Sequence, residues 1–512
     1  MKNNNTEVIN LRLNNFKDFF YNKKTQKKLG IFIFIFLIIQ PLFDLKFFYN
    51  SISTLIRVII IGVLFLFYFF TSSNKKKYWL LLYLLSITTY FIFHHINATH
   101  FNSLVPGNFN YSIISELLYL IKMITPFLLI YILYKLKISP KKVLKIIDYQ
   151  ILIIGSIIIV SNIFMFSYGS YSDEIIKANF FSWFSPSSFT YQELCSKGLF
   201  EYANQISAIL IMFLPFSLSN FLKEKNFKMV FILIINISAL FLLGTKVSVL
   251  GVILVFIYTI TVYLFYNKFK LKQSITAKPI IVVCLMFVCY LILLPKNPIF
   301  LRIDESKSIA ASSTPETLSE EPIIQNTTVD SSNSNCISEN SLDYIFDNYK
   351  DKEIKDEFIL QSYPYKYDPE FWLTIFEQPR YNRVNYRFME ESMIKRVVAI
   401  NNNKYDIWLG ITNTRLQNIF NIERDLIVQY YALGIIGLIL VFSPYLVLIT
   451  LYLYKLSKSK LNNLTLENFL AFISIVLVFG MSYFSGNLLN SLSFTLYFAL
   501  LYSLLLKDSC IS

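Results

Sequence analysis

Apolar residues along this chain gather in blocks of about 18–22, the length a helix needs to cross roughly 30 Å of hydrocarbon. Short polar stretches rich in lysine separate the blocks. The pattern predicts twelve helices, near 29–46, 52–72, 78–97, 113–134, 147–168, 203–221, 228–244, 246–266, 278–295, 425–453, 466–485 and 489–506. One long interval, 296–424, interrupts them. Its first part, about 304–342, is rich in Ser, Thr, Glu and Asn and has few aromatics, so it is expected to be disordered. Its second part, 343–424, carries Trp372, Trp408, many tyrosines and periodic apolar positions, and predicts a small, mostly helical cap. A shorter interval, 169–202, is aromatic (Phe180, Phe181, Trp183, Phe184, Phe189, Tyr191) and is expected to lie on the membrane or dip into it.

The expected fold is therefore all-α, a polytopic integral membrane protein. A tail over 1–28 leads into helices one to nine over 29–295, then the extracytoplasmic loop 296–424, helices ten to twelve over 425–506, and a tail over 507–512. Orientation follows the lysines. Loops after even-numbered helices hold Lys75–Lys77, then Lys135, Lys137, Lys141, Lys142 and Lys145, then Lys223, Lys225 and Lys228, then Lys268, Lys270 and Lys272, then Lys455, Lys458 and Lys460. Residues 98–112 contain no Lys or Arg. Both termini are thus expected in the cytoplasm, and the basic stretch before the first helix, with no small-residue cleavage site after it, reads as an anchor.

Composition agrees. Of 512 residues, 55% are hydrophobic, above the 45–50% usual for soluble domains. The net charge of +14 does not imply a nucleic-acid partner, because the lysines fall in clusters between apolar blocks, as in loops facing anionic lipid. No GxxxxGK[ST] loop is present, and the only histidines are His94, His95 and His100. No cysteine pair has metal-ligand spacing, so neither cofactor nor metal is implied. Cys195 and Cys336 both fall in outside segments, which leaves a disulfide between them open.

Charges at bilayer depth are costly and are often functional. Arg57, Lys122 and Lys246 qualify. Snorkelling to the interface is the alternative for Arg57 and Lys246. Lys122, four residues before Pro126, is deeper and is expected to face a cavity. In the loop, Arg380, Arg383 and Arg387 follow a three-then-four spacing, which would place them on one helix face, with Arg396 beyond. Such a face suits a phosphate or diphosphate. It equally suits a solvated surface paired with Glu377, Glu390 and Glu391. Glu423-Arg424-Asp425 precedes helix ten. A carboxylate there could act as a general base in a partly dry cavity, or simply complement a helix N-terminus.

Three segments carry a resemblance. Gly198-Leu199-Phe200-Glu201-Tyr202-Ala203-Asn204 enters a helix after an outer loop. Leu243-Gly244-Thr245-Lys246-Val247-Ser248 forms a small-Thr-basic turn. Trp408-Leu409-Gly410-Ile411 runs on through Glu423, Asp425, Gly434 and Gly437. In order and spacing they resemble the O-antigen ligase and O-antigen or capsular polysaccharide polymerase superfamily of bacterial cell envelopes, over most of 29–506. The resemblance implies a metal-independent glycosyltransferase of the plasma membrane. Its donor would be a glycan on undecaprenyl diphosphate, polymerised or ligated on the outer face into surface polysaccharide, with other assembly proteins as partners. It further implies that Lys246 binds the lipid diphosphate, that Arg387 or Arg383 closes over it, and that Glu423 or Asp425 takes the acceptor's proton. Asn204 and Thr245 belong to the matching motifs and would support the site, with Lys122 and Arg57. The late outer loop contains no His, which resembles polymerase-type members more than lipid A-core ligases. Two other classes fit twelve helices: a lipid-linked oligosaccharide flippase or other transporter, and a non-enzymatic component with the loop as an interaction module.

Overall fold

In a computed structural model the chain is described over residues 23–71, 74–185, 189–224, 226–271, 277–311, 339–420, 423–459, 461–462, 464–484, 486 and 488–507. Most of both expected tails, Cys336, and residues 312–338 of the low-complexity stretch lie outside those residues.

The principal helices are α1 (Lys23–Ile39), α2 (Asn50–Thr71), α3 (Asn74–Thr99), α4 (Ile113–Lys135), α5 (Pro140–Ile163), α6 (Ala203–Glu224), α7 (Phe227–Leu243), α8 (Lys246–Phe265), α9 (Ala277–Leu293), α10 (Ile299–Ala311), α11 (Glu339–Asn348), α12 (Pro369–Phe376), α13 (Tyr386–Asn401), α14 (Asp425–Lys458), α15 (Leu466–Phe484) and α16 (Leu492–Lys507). Among the described residues the one sheet is an antiparallel pair, β1 (Tyr168–Gly169) and β2 (Ser196–Gly198). A helix stands at each of the twelve expected positions. Ten are long and apolar enough to cross a membrane, and α7 and α16 are shorter. The protein is a polytopic all-α membrane protein.

Departures from the sequence pattern include those at α5 and at the start of the long loop. α5 begins at Pro140, seven residues before the expected start at 147, because Pro140 supplies a fixed helical φ at the first helical position. It ends at Ile163, where Met165 turns to φ 55° and the chain enters β1. Residues 304–311, expected to be disordered, continue α10. That helix is anchored by the buried Asn297, whose side chain accepts from Ile299 N at 3.0 Å and donates to Phe241 O at 2.8 Å.

The described chain divides into two compact bodies. The first takes the described residues within Met1–Ser86, Leu120–Phe300 and Val441–Ser512; the second takes those within Ile87–Tyr119 and Leu301–Leu440. At the centre of the first, α6 is apolar on every face and packs against α5, α7, α8, α9, α15 and α16, as a helix hydrophobic all round must. Small residues allow the closest crossings: a Cβ added at Gly251 of α8 would lie 2.3 Å from Ile211 of α6, and one at Gly155 of α5 2.3 Å from Ile235 of α7. α2 shows the outer pattern. Leu55, Ile59, Val63, Leu66 and Phe70 form an exposed stripe suited to lipid, while Arg57, Ile61, Leu64 and Tyr68 turn inward.

The second body holds the cap. Trp372 is buried and donates Nε1–H to Tyr363 O at 2.9 Å. Tyr363 donates its hydroxyl to Asp368 at 2.7 Å, and Arg396 grips the same carboxylate through two bonds of 2.7 and 2.9 Å. Asp368 also accepts from Phe371 N and so caps α12. Burial works to raise the Asp368 carboxyl, but these donors outweigh it and hold it below the usual carboxylate range.

Candidate functional site

In the first body the turn between α7 and α8 is built by Gly244, at φ 57°, followed by Thr245 as the N-cap of α8. Thr245 Oγ1 accepts from Ser248 N at 3.0 Å, and Thr245 N donates to Ser248 Oγ at 3.0 Å, a reciprocal capping box. Lys246 is therefore the first residue of α8, and it is exposed. Ser207, one turn beyond Asn204 on α6, lies 3.0 Å from Thr245 through their hydroxyls. This bond joins the helix that the first motif enters to the turn of the second motif. Cys195 is buried, and its thiol donates to Gly244 O at 3.7 Å.

The two remaining first-body candidates differ. Lys122 is half-buried in α4. Arg57 does not snorkel. It is 1% exposed, donates to Gln40 Oε1 at 2.7 Å and Gln40 O at 3.2 Å, and pairs with Asp44 at 2.7 Å, while Ser493 donates to the same Asp44. A guanidinium surrounded by acceptors at this depth is a structural clamp that joins α2 to the turn after α1.

In the second body the arginine run does not share one helix face. Arg380 and Arg383 belong to a single turn, Arg380–Arg383, and Asn385 starts α13 afresh by accepting from Arg387 N at 3.2 Å. Arg380 forks onto Glu353 at 2.5 and 2.6 Å. Arg383 donates to the carbonyls of Lys352, Phe376 and Gln378, and so ties the cap's own loops. Only Arg387 of the three reaches the segment before α14, where its Nε donates to Glu423 at 2.9 Å. Both partners are partly exposed, at 40% and 31% of their side chains.

Around this pair the chain is interlocked. Arg424 Nη2 donates to Arg387 O at 2.7 Å and to Glu391 at 2.6 Å. Glu423 N donates to Glu390 at 3.1 Å. Burial pushes the Glu390 carboxyl up to about 7, against the opposing pull of the Glu423 and Arg424 amides and the Arg424 charge. Glu391, paired with Lys395 and Arg424, is held below the usual range. Asp425 is 1% exposed, so of the two carboxylates expected before α14 only Glu423 has access to solvent.

The third motif folds onto itself. α14 is broken at Gly434, at φ 65° and ψ −178°. Carbonyls just before the break find outside donors: Tyr431 O takes Ile411 N at 2.8 Å, Ala432 O takes Thr412 N at 3.2 Å, and Leu433 O takes the Tyr90 hydroxyl at 2.6 Å. A Cβ at Gly434 would meet Trp408 C at 2.4 Å, and one at Gly410 would meet Ala432 O at 2.2 Å, so both glycines are required by backbone contact. Below this turn the Glu116 carboxylate accepts from Asn413 N and Thr414 N, each at 3.1 Å, and faces His94 Nε2 at 3.1 Å. Arg415 is buried, lies 3.9 Å from the Phe101 ring centroid and donates to three carbonyls. Burial lowers its guanidinium to about 10, so it stays charged at neutral pH.

Glu390, Glu391 and Arg424 were not singled out by sequence reasoning as site residues. One signal was available: Glu390 falls on the stripe of buried positions 389, 390, 393, 394 and 397 along α13, and an acid on an apolar stripe needs a reason. Among the described residues no group of three His, Cys, Asp or Glu side chains converges as metal ligands would.

No curated protein and no solved structure matches the chain significantly. A family description, O-antigen ligase like membrane protein, matches residues 26–511. Covered over nearly its whole length, the chain belongs to that family of membrane enzymes, which transfer glycans and act on lipid-linked glycans.

Proposed function

We propose that the protein transfers an oligosaccharide from undecaprenyl diphosphate to an acceptor sugar on the outer face of the bacterial plasma membrane, polymerising or ligating repeat units into surface polysaccharide such as capsule. The observation that carries this reading is the partly exposed Arg387–Glu423 pair, a cation and a carboxylate held 2.9 Å apart at the end of the long loop. In the reaction the acceptor hydroxyl oxygen bonds to the anomeric carbon of the donor. The bond from that carbon to the diphosphate oxygen breaks, and the diphosphate leaves with the electron pair. A guanidinium stabilises the charge that develops on the leaving oxygen. A carboxylate takes the proton from the acceptor. A diphosphate that engages Arg387 would displace Glu423 from it and free that carboxylate for the proton. Lys246, exposed at the positive end of α8, is a second cation suited to a phosphate group.

The test is transfer from lipid-diphosphate-linked oligosaccharide by the purified protein in vesicles. Arg387→Ala, Lys246→Ala and Glu423→Gln should each reduce transfer by about a hundredfold or more. Wild-type rates in all three would contradict the roles assigned. A lipid-linked oligosaccharide flippase is the second reading, favoured by the broken α14, since interrupted helices are common in transporters. Loss of a flippase would leave unpolymerised units inside the cell, whereas loss of a polymerase would leave single units outside.

A further inference from the structure

Three cations and three carboxylates meet where the Glu423–Arg424 segment crosses α13. Glu423 takes Arg387, and Glu391 takes Arg424 and Lys395. The third carboxylate, Glu390, has no cation within salt-bridge distance among the described residues, yet it is fully buried. Its Oε2 accepts the backbone N–H of Glu423 at 3.1 Å, and its Oε1 has no hydrogen-bond partner among the described residues. A buried, half-satisfied acid is a poor way to stabilise a helix packing, because the lost hydration of the orphan oxygen is not recovered. Its directed contacts are with the backbone amides of the crossing segment: that of Glu423, the residue proposed to accept the proton, and that of Arg424.

We infer that Glu390 is a positioning residue for glycan transfer: it fixes the backbone of Glu423, and its negative charge keeps Glu423 a proton acceptor once Arg387 has turned to the diphosphate. The inference rests on the reading of Glu423 given above. The charged groups that bear on Glu390 are Glu423 and Arg424 from the crossing segment and Arg387 and Glu391 from its own helix. With Arg387 withdrawn, a neighbouring negative charge favours protonation of Glu423, and a neutral neighbour does not. Burial places the titration of Glu390 at about 7, so its charge is lost as the pH falls from 8 to 6. Transfer should fall over the same interval.

The experiment is a pH–rate profile of transfer from lipid-diphosphate-linked oligosaccharide, for wild type, Glu390→Gln and Glu423→Gln. Glu390→Gln keeps an acceptor for the Glu423 amide. It should fold, run about tenfold slower than wild type at pH 8 and lack the acid limb near pH 7. Glu390→Asp, which restores the charge, should restore the limb. A melting curve gives a reading independent of activity. The folded protein holds this carboxyl above its unfolded value of about 4.3, so its ionisation destabilises the fold as pH rises from there through 7. Glu390→Gln should therefore raise the melting temperature at pH 8 and leave it unchanged at pH 4. A wild-type rate and profile in Glu390→Gln, beside an inactive Glu423→Gln, would overturn this inference and leave the proposed function standing. Full activity in Glu423→Gln would overturn the proton-acceptor assignment and this inference with it.

Discussion

Single side chains in this protein divide by whether their charge has been matched inside the fold. Arg57 and Asp44 are matched to each other in a setting almost without water. Asp44→Ala should leave the guanidinium uncompensated and cost about 3–5 kcal/mol, read as a lower melting temperature in detergent. Replacing both residues by apolar ones of similar size should cost far less. The sequence marked Arg57 as a charge at depth, but the partner depends on the turn Gln40–Asp44, and no local pattern specifies how that turn is aimed. Asp368 is matched by Arg396 and Tyr363. Because folding lowers its pKa, its stabilisation is present above the ordinary carboxylate range near pH 4 and is lost as the pH falls through its lower, folded value. The cap of wild type should loosen in acid, by hydrogen exchange. Asp368→Asn should be loose already at pH 7 and show little further change below pH 4.

At the scale of elements, local rules carried the helices and lost their interruptions. Apolar length alone located α1 to α9 and α14 to α16, since a block that must cross lipid announces itself residue by residue. The break in α14 was not legible. Gly434 stood in a motif, but what opens the helix there is the backbone of Trp408–Thr412, some twenty residues away in sequence. The arginine run was misread for a related reason. A three-then-four spacing holds only while a helix continues, and Asn385 begins a new one. Gly434→Ala should combine a backbone conformation essentially confined to glycine, costing about 1–3 kcal/mol, with collision against Trp408. The expected outcome is faster hydrogen exchange over 408–414 than in wild type, and equal exchange would refute the described contact. Gly480, which has open space where its Cβ would stand, is the control and should accept Ala quietly.

For the whole molecule the lysine pattern makes a statement about sidedness. In a chain stripped of its five cysteines, Asn110→Cys should react with a membrane-impermeant maleimide in intact cells, and Lys268→Cys only after the membrane is opened. The reverse result would invert the protein. The division into two bodies was hidden from the sequence, because its boundaries pass through α3, α4, α10 and α14 rather than through linkers. The break in α14 bears on depth as well. As one rod its 34 residues would reach about 51 Å, far beyond the roughly 30 Å of acyl chains. The part after Gly434 reaches about 36 Å by itself and suffices for the crossing. The opening part, about 13 Å from Asp425 to Leu433, is left over. If the longer part makes the crossing, the acidic start of the helix is left beyond the acyl chains, at headgroup height, where a phosphate group would sit.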